Sequence, residues 1–187
     1  GQQGIGQYSF AVGLTGFFSV LADFGLYNYS IKEISRNRES FEKHSQNIFS
    51  LRFVLAFLMI SLLFIIIPFL SFSIESKIII ILIGIYQILY TIIEGLSAIF
   101  IAHERMNIAS TIEISLKIIT TSSAVTVIFT TGNLVMALSM LPVMAILQLI
   151  IITILIRNKF GTKIFSFSPN LLRNTFRTVS TFGMTDL

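Results

Sequence analysis

Long apolar stretches separated by short polar links dominate the chain. The first runs from Tyr8 to Leu26 and is interrupted only by Asp23, and the second, Phe53 to Leu70, carries no charge. The third, Ile78 to Ile101, contains one charged residue, Glu94. After Lys117 the chain runs uncharged from Ile118 to Ile156, 39 residues. As one helix that run would reach about 58 Å, against a hydrocarbon core of about 30 Å. It must therefore fold back, and the turn-forming cluster Thr130-Thr131-Gly132-Asn133 marks the place. That leaves a fourth span over Ile112 to Phe129 and a fifth over Leu134 to Ile156. No alternation of apolar and polar positions supports a β-barrel. In lipid each backbone polar group needs an internal partner, so the stretches are predicted to be helices. The expected fold is an all-α membrane protein, a polytopic helical bundle with about five transmembrane helices in one unit over residues 1–187.

Composition agrees and narrows the class. Hydrophobic residues make up 54% and charged residues 12%, with mean hydropathy +0.86. A soluble domain carries about 25% charged residues, twice what is available here. The chain has no Cys, which removes disulfides, zinc fingers and thiol nucleophiles. The sequence pI of 9.6 would suit nucleic acid if the bases clustered on a soluble face. They do not. Of the 13 Lys and Arg, only Lys77 falls on one side of the predicted membrane. By the positive-inside rule the links after spans one, three and five are cytoplasmic and Gly1 is outside. Membrane lipid is thus the expected surroundings, the cytoplasmic membrane the expected location, and nucleic acid is not an expected partner. An outside N-terminus with no initiator Met, and an end at Thr178 to Leu187 that reads as the entry to a further span, lead us to expect a fragment with helices missing on both sides.

Ionisable residues at membrane depth cost about 2.5–3.5 kcal/mol each on insertion scales, which makes each a functional candidate. Asp23, Arg52, Glu94 and Lys117 stand out. Thr15, Ser19 and Asp23 recur every four residues and share one helix face; Gln87, Tyr90, Thr91, Glu94 and Ser97 make a similar stripe. Span four adds Glu113, Lys117, Thr120 and Thr121, then Ser122, Thr126 and Thr130 on an adjacent face. Such stripes are expected to face one another or a hydrated cavity. Glu94 and Lys117 lie symmetrically about residues 105 and 106, and Asp23 and Arg52 about residues 37 and 38. In antiparallel hairpins each couple would lie at similar depth, as an ion pair or on one cavity wall. The alternative is that Asp23, Arg52 and Lys117 stay hydrated near the interface, the bases by snorkelling.

Other features read as structure. His44 and His103 fall in links and read as solvated. Gly13 and Gly16 suggest close helix contact, and Pro142 a kink. The link Ile31 to Asn47 is amphipathic enough to lie at headgroups, although a loop is the simpler reading. No P-loop, zinc-binding helix or nucleophile elbow is present, so no enzyme activity, cofactor or metal is expected.

Two patches carry a resemblance. The first is Gly4-Ile-Gly6-Gln-Tyr8-Ser-Phe-Ala, followed by Leu21-Ala-Asp23-Phe-Gly25-Leu and Ile31-Lys-Glu-Ile-Ser-Arg36. It resembles the second membrane helix of the polysaccharide-biosynthesis flippases, with Lys32-Glu33 where Arg-Glu is commoner. The second patch, Ala102-His-Glu104-Arg105-Met106-Asn-Ile-Ala, resembles the link between that family's fourth and fifth helices. The resemblance implies the multidrug/oligosaccharidyl-lipid/polysaccharide exporter superfamily, whose members have 12 to 14 helices in two bundles. This chain would supply helices two to six and the start of seven. It further implies transport of polyprenyl-phosphate-linked sugar to the outer leaflet by alternating access, alongside other polysaccharide-assembly proteins. The chemistry of such a lipid would give Arg52 and Lys117 a pyrophosphate to grip and leave Asp23, Gln87 and Glu94 to line the path, balance charge or carry protons or sodium. A cation-coupled multidrug antiporter of the same superfamily is the nearest alternative. A membrane-embedded glycosyltransferase or polymerase is a further one, disfavoured by the short outside links at Ser71 to Lys77 and Thr130 to Asn133.

Overall fold

A computed structural model describes residues 2–23, 25–36 and 41–161. Among these residues all regular structure is helical. The helices are α1 (Gln2–Asp23), α2 (Leu26–Arg36), α3 (Phe41–Ile66), α4 (Ile74–Ala102), α5 (Met106–Thr131) and α6 (Leu134–Phe160). Five stretches are long and apolar enough to cross a membrane: α1 with α2, then α3 from Ile48, α4, α5 and α6. The fold class is the one predicted, a multi-pass all-α membrane bundle. The further span expected near residues 178–187 lies outside the described residues, as do Arg38, Lys163, Arg173 and Arg177.

Local chemistry explains where the helices stop. The long uncharged run breaks where the turn cluster predicted. Gly132 takes a left-handed φ of 64° as the C-cap of α5, and the Asn133 side chain accepts from the Met136 N–H to start α6. Ser73 caps α4 by accepting from Ser76 N–H, with Glu75 in the first turn where the helix dipole favours an acid. At the other end of α4, Glu104 turns the chain with φ 61°. The Arg105 N–H then donates to the Phe100 carbonyl at 2.8 Å, which satisfies one of the last carbonyls of the helix. His103, expected to be solvated, instead bonds the Ile99 carbonyl through Nδ1 at 2.8 Å and packs on Phe160 at 4.6 Å between ring centroids.

The region between spans one and two departs from the sequence reading. The helix α1 ends at Asp23, short of the expected Leu26, and α2 begins at Leu26 after Gly25, at φ 78°. The polar link read as a loop is helical over Leu26–Arg36 and again from Phe41. The reason is amphipathicity: Leu26, Ser30 and Ile34 recur every four residues and are buried. That apolar stripe lays α2 against α3 and α4.

α4 is the centre of the bundle, packed by α1, α2, α3 and α6, while α5 rests chiefly on α6 and touches α4 little. The hairpin α4–α5 is therefore splayed. One apolar core joins Ile88, Ile92, Leu96 and Phe100 of α4 to Phe49 of α3 and Ile152 and Ile156 of α6. Another joins Ala11 and Phe18 of α1 to Leu63 of α3 and Ile79, Ile80 and Ile83 of α4. The tightest approaches are at Gly84 and Gly95 of α4; Gly16 does face α4, with an added Cβ 3.9 Å from the Gln87 amide, while at Gly13 it would meet nothing within 4 Å. Pro142 is buried inside an uninterrupted α6.

Candidate functional site

The polar residues at membrane depth fall into three groups, all touching α4. In the first, Arg52 of α3 is fully buried and its guanidinium is gripped from two sides. Nη2 donates to the Asp23 carboxylate in an ion pair, and Nη1 donates to the Thr91 carbonyl of α4. The fit depends on Gly95, where an added Cβ would stand 2.9 Å from Arg52 Cζ. The Thr91 hydroxyl donates within its own helix, to the Ile88 carbonyl at 2.8 Å. Burying an ion costs several kcal/mol unless partners surround it, and here they do so on all but Nε, which has none. The symmetry about residues 37 and 38 thus marks a real pair. Snorkelling is overturned for Arg52: the side chain points inward to an acid on α1.

In the second group Gln87 of α4 sits against α1. Its Nε2 donates to Thr15 Oγ1 at 3.1 Å and to the Val12 carbonyl at 3.3 Å, while Ser19 Oγ donates to its Oε1 at 3.1 Å. The three-residue stripe of span one therefore does face inward, with Thr15 and Ser19 on Gln87 and Asp23 on Arg52.

The third group lies in the splay between α4 and α5, backed by α6. A cavity of about 240 Å³ is lined by Tyr8, Gln87, Tyr90, Glu113, Lys117 and Gln148 among others. A second, of about 200 Å³, lies toward the α4–α5 link and is lined by Tyr27, Glu94, Ser97, Ser110, Glu113 and Gln148 among others. The Tyr90 hydroxyl donates to Glu113 Oε1 at 2.6 Å, a bridge between α4 and α5 that borders both spaces. Glu94 makes no hydrogen bond or ion pair among the described residues, although Asp23, Arg52, Glu113 and Lys117 are all within electrostatic reach. The expected Glu94–Lys117 pair is not formed. Their equal depth is outweighed by the divergence of the two helices: Lys117 is exposed and turns to the larger cavity, Glu94 to the smaller.

The remaining polar stripe of α5 also departs from expectation. Thr126 and Thr130 are exposed and donate to the carbonyls of Ser122 and Thr126, at 2.8 and 2.9 Å. Hydroxyls satisfied by their own helix need no partner across the bundle.

Several cavity-lining residues were not singled out from the sequence as candidates: Tyr8, Tyr27 and Ser110, then Tyr90 and Glu113, which were visible only as members of stripes, and Gln148. The last is a lone amide in an apolar run, and that isolation was the available signal.

No curated protein and no solved structure matches the chain. One protein family does, over residues 1–186, nearly the whole length. Its match covers both patches that carried the resemblance and the five membrane helices whose polar faces build the site. The chain belongs to the polysaccharide biosynthesis protein family.

Proposed function

We propose that the protein is a non-enzymatic exporter that moves polyprenyl-linked oligosaccharide precursors across the cytoplasmic membrane by alternating access. The observation that carries the reading is the polar cavity in the splay between α4, α5 and α6. Hydroxyls, amides and one exposed ammonium gather there among apolar helices, where polar residues carry an insertion cost and are candidates for a ligand path. Lys117 meets the anionic pyrophosphate. Tyr8 and Gln148 offer hydrogen-bonding groups suited to sugar hydroxyls. Arg52, enclosed by Asp23, Thr91 and Gly95, serves as scaffold, holding α1, α3 and α4 together while the cavity side moves. Movement about a site between helices follows the general logic of secondary transporters.

The test is depletion of the intact protein in its host while radiolabelled polyprenyl-linked oligosaccharide is followed. Build-up on the cytoplasmic leaflet, relieved by wild type but not by Lys117→Gln, is the expected result. The absence of build-up would overturn the reading.

The second reading is a cation-coupled multidrug antiporter, favoured by the unpartnered Glu94 carboxylate. Under that reading depletion leaves lipid-linked sugar unchanged and makes cells sensitive to cationic drugs.

A further inference from the structure

Four of the five tyrosines border cavities, and they do so in sequence through the bundle. Tyr8 lines a vestibule of about 980 Å³ beside the α5–α6 turn, and also the larger cavity between α4, α5 and α6. Tyr86 and Tyr90 line that larger cavity, and Tyr90 continues with Tyr27 into the smaller one. The four rings thus link three spaces, from the α5–α6 turn toward the α4–α5 link. The chain has 18 Phe against five Tyr, yet among the described residues no Phe lines any of the three spaces. Hydrophobicity alone would place both types there, and phenylalanine more often. The rings found at the cavities are those with a polar tip on an apolar body.

These rings are presented to the spaces instead of being packed away. Tyr8 is 42% exposed, and Tyr27, Tyr86 and Tyr90 are half-buried. Tyr86 and Tyr90 follow each other at one turn of α4, with centroids 6.0 Å apart. The hydroxyls of Tyr8, Tyr27 and Tyr86 make no hydrogen bond among the described residues; that of Tyr90 is held by Glu113. Hydroxyls and amides stand between the rings: Gln7 and Asn133 in the vestibule, Thr120 and Gln148 in the larger cavity, Ser97 and Ser110 in the smaller. A pyranose matches both kinds of surface. Its C–H groups lie against an aromatic face, and the hydroxyls on its rim hydrogen-bond sideways. An isoprenoid chain would leave the amides and hydroxyls unmatched, and Lys117 opposes an organic cation in the larger cavity.

We infer that Tyr27, Tyr90, Tyr86 and Tyr8 form a stacking track for the sugar rings of an oligosaccharide, running from the smaller cavity to the vestibule. The one-turn spacing of Tyr86 and Tyr90 suits consecutive rings of one glycan chain. Every pyranose has an apolar face, so such a track tolerates varied sugars, as aromatic platforms in nucleic-acid proteins tolerate varied bases. The inference rests on the exporter reading and gives the glycan part of the cargo its own path, separate from the ammonium that meets the pyrophosphate.

The test uses the intact purified protein in detergent, with the oligosaccharide released by mild acid from the host's own polyprenyl-linked precursor, so that neither lipid nor pyrophosphate contributes. Saturation-transfer NMR titration reads its affinity. Wild type is expected to bind, with the signal concentrated on sugar C–H protons. Tyr8→Leu combined with Tyr86→Leu is expected to weaken binding about tenfold or more, whereas Tyr8→Phe combined with Tyr86→Phe, which keeps both ring faces, stays within about threefold. Tyr8→Leu alone, at an exposed position, is expected to show part of the loss and serves if the double variant does not fold. Tyr29→Leu, whose ring packs with Leu26, Ile48 and Leu51 away from the three spaces, is expected to leave binding unchanged. No binding by wild type, binding indifferent to the Leu changes, or equal losses with Phe and Leu would overturn the inference. Ethidium bound in place of the sugar would overturn it as well and favour the antiporter reading. Export is read separately by the depletion experiment: build-up of lipid-linked sugar together with absent oligosaccharide binding strikes the track and leaves the export reading standing.

Discussion

The two sides of α4 are built differently. Toward α1 and α3, the polar side chains that enter the bundle find partners: Arg52 meets Asp23 and Thr91, with only its Nε unmet, and Gln87 meets Thr15, Ser19 and Val12. Gly84 and Gly95 let the neighbours come so close that an added Cβ would clash with Leu63 or Arg52. Toward α5, α4 makes little contact, two cavities open, and Glu94 and Gln148 stay without partners among the described residues. Satisfied polar groups in a tight seam hold helices in one arrangement. Unsatisfied ones beside a cavity are available to a ligand. The same residue types therefore do opposite jobs on opposite faces of one helix, and burial with partner count tells them apart.

The closed seam is most sensitive at Asp23. Asp23→Ala leaves the Arg52 guanidinium buried without its counter-ion and is expected to destabilise the protein by about 3–5 kcal/mol. Thermal unfolding in detergent reads the loss; Arg52→Gln added to Asp23→Asn should recover part of it. Gly95→Ala crowds the same guanidinium and is expected to cost about 1–3 kcal/mol, read as reduced thermal stability. Gln87→Leu strands the Thr15 and Ser19 bonds, and interhelical polar contacts in membranes are worth about 0.6–1.7 kcal/mol. A loss within that range in the same unfolding experiment is expected. Lys117→Gln, on the open side, should change stability by less than about 0.5 kcal/mol.

Much of this was legible in the sequence because hydropathy and charge act over whole helices. The break at Thr130 to Asn133 followed from a length that no bilayer accommodates, and Gly132 and Asn133 supply the two caps found there. The Asp23–Arg52 pair followed from equal depth in antiparallel spans. The same arithmetic failed for Glu94 and Lys117, because depth fixes position along a helix but not the distance between helices, and α4 and α5 splay. Amphipathic α2 was hidden by its polar, basic composition, although Leu26, Ser30 and Ile34 mark its buried face. Gln148 carries no periodic signal at all. Its place on the wall of both cavities appears only in the fold.

In the proposed function the open side of α4 carries transport and the closed side holds the frame. Translocation of labelled polyprenyl-pyrophosphate-linked oligosaccharide by proteoliposomes of the intact protein tests it on a single variant, Lys117→Gln, with unfolding temperature measured on the same sample. Wild-type stability with transport lowered about tenfold or more is the expected result. Transport at the wild-type rate in a stably folded Lys117→Gln protein would contradict it.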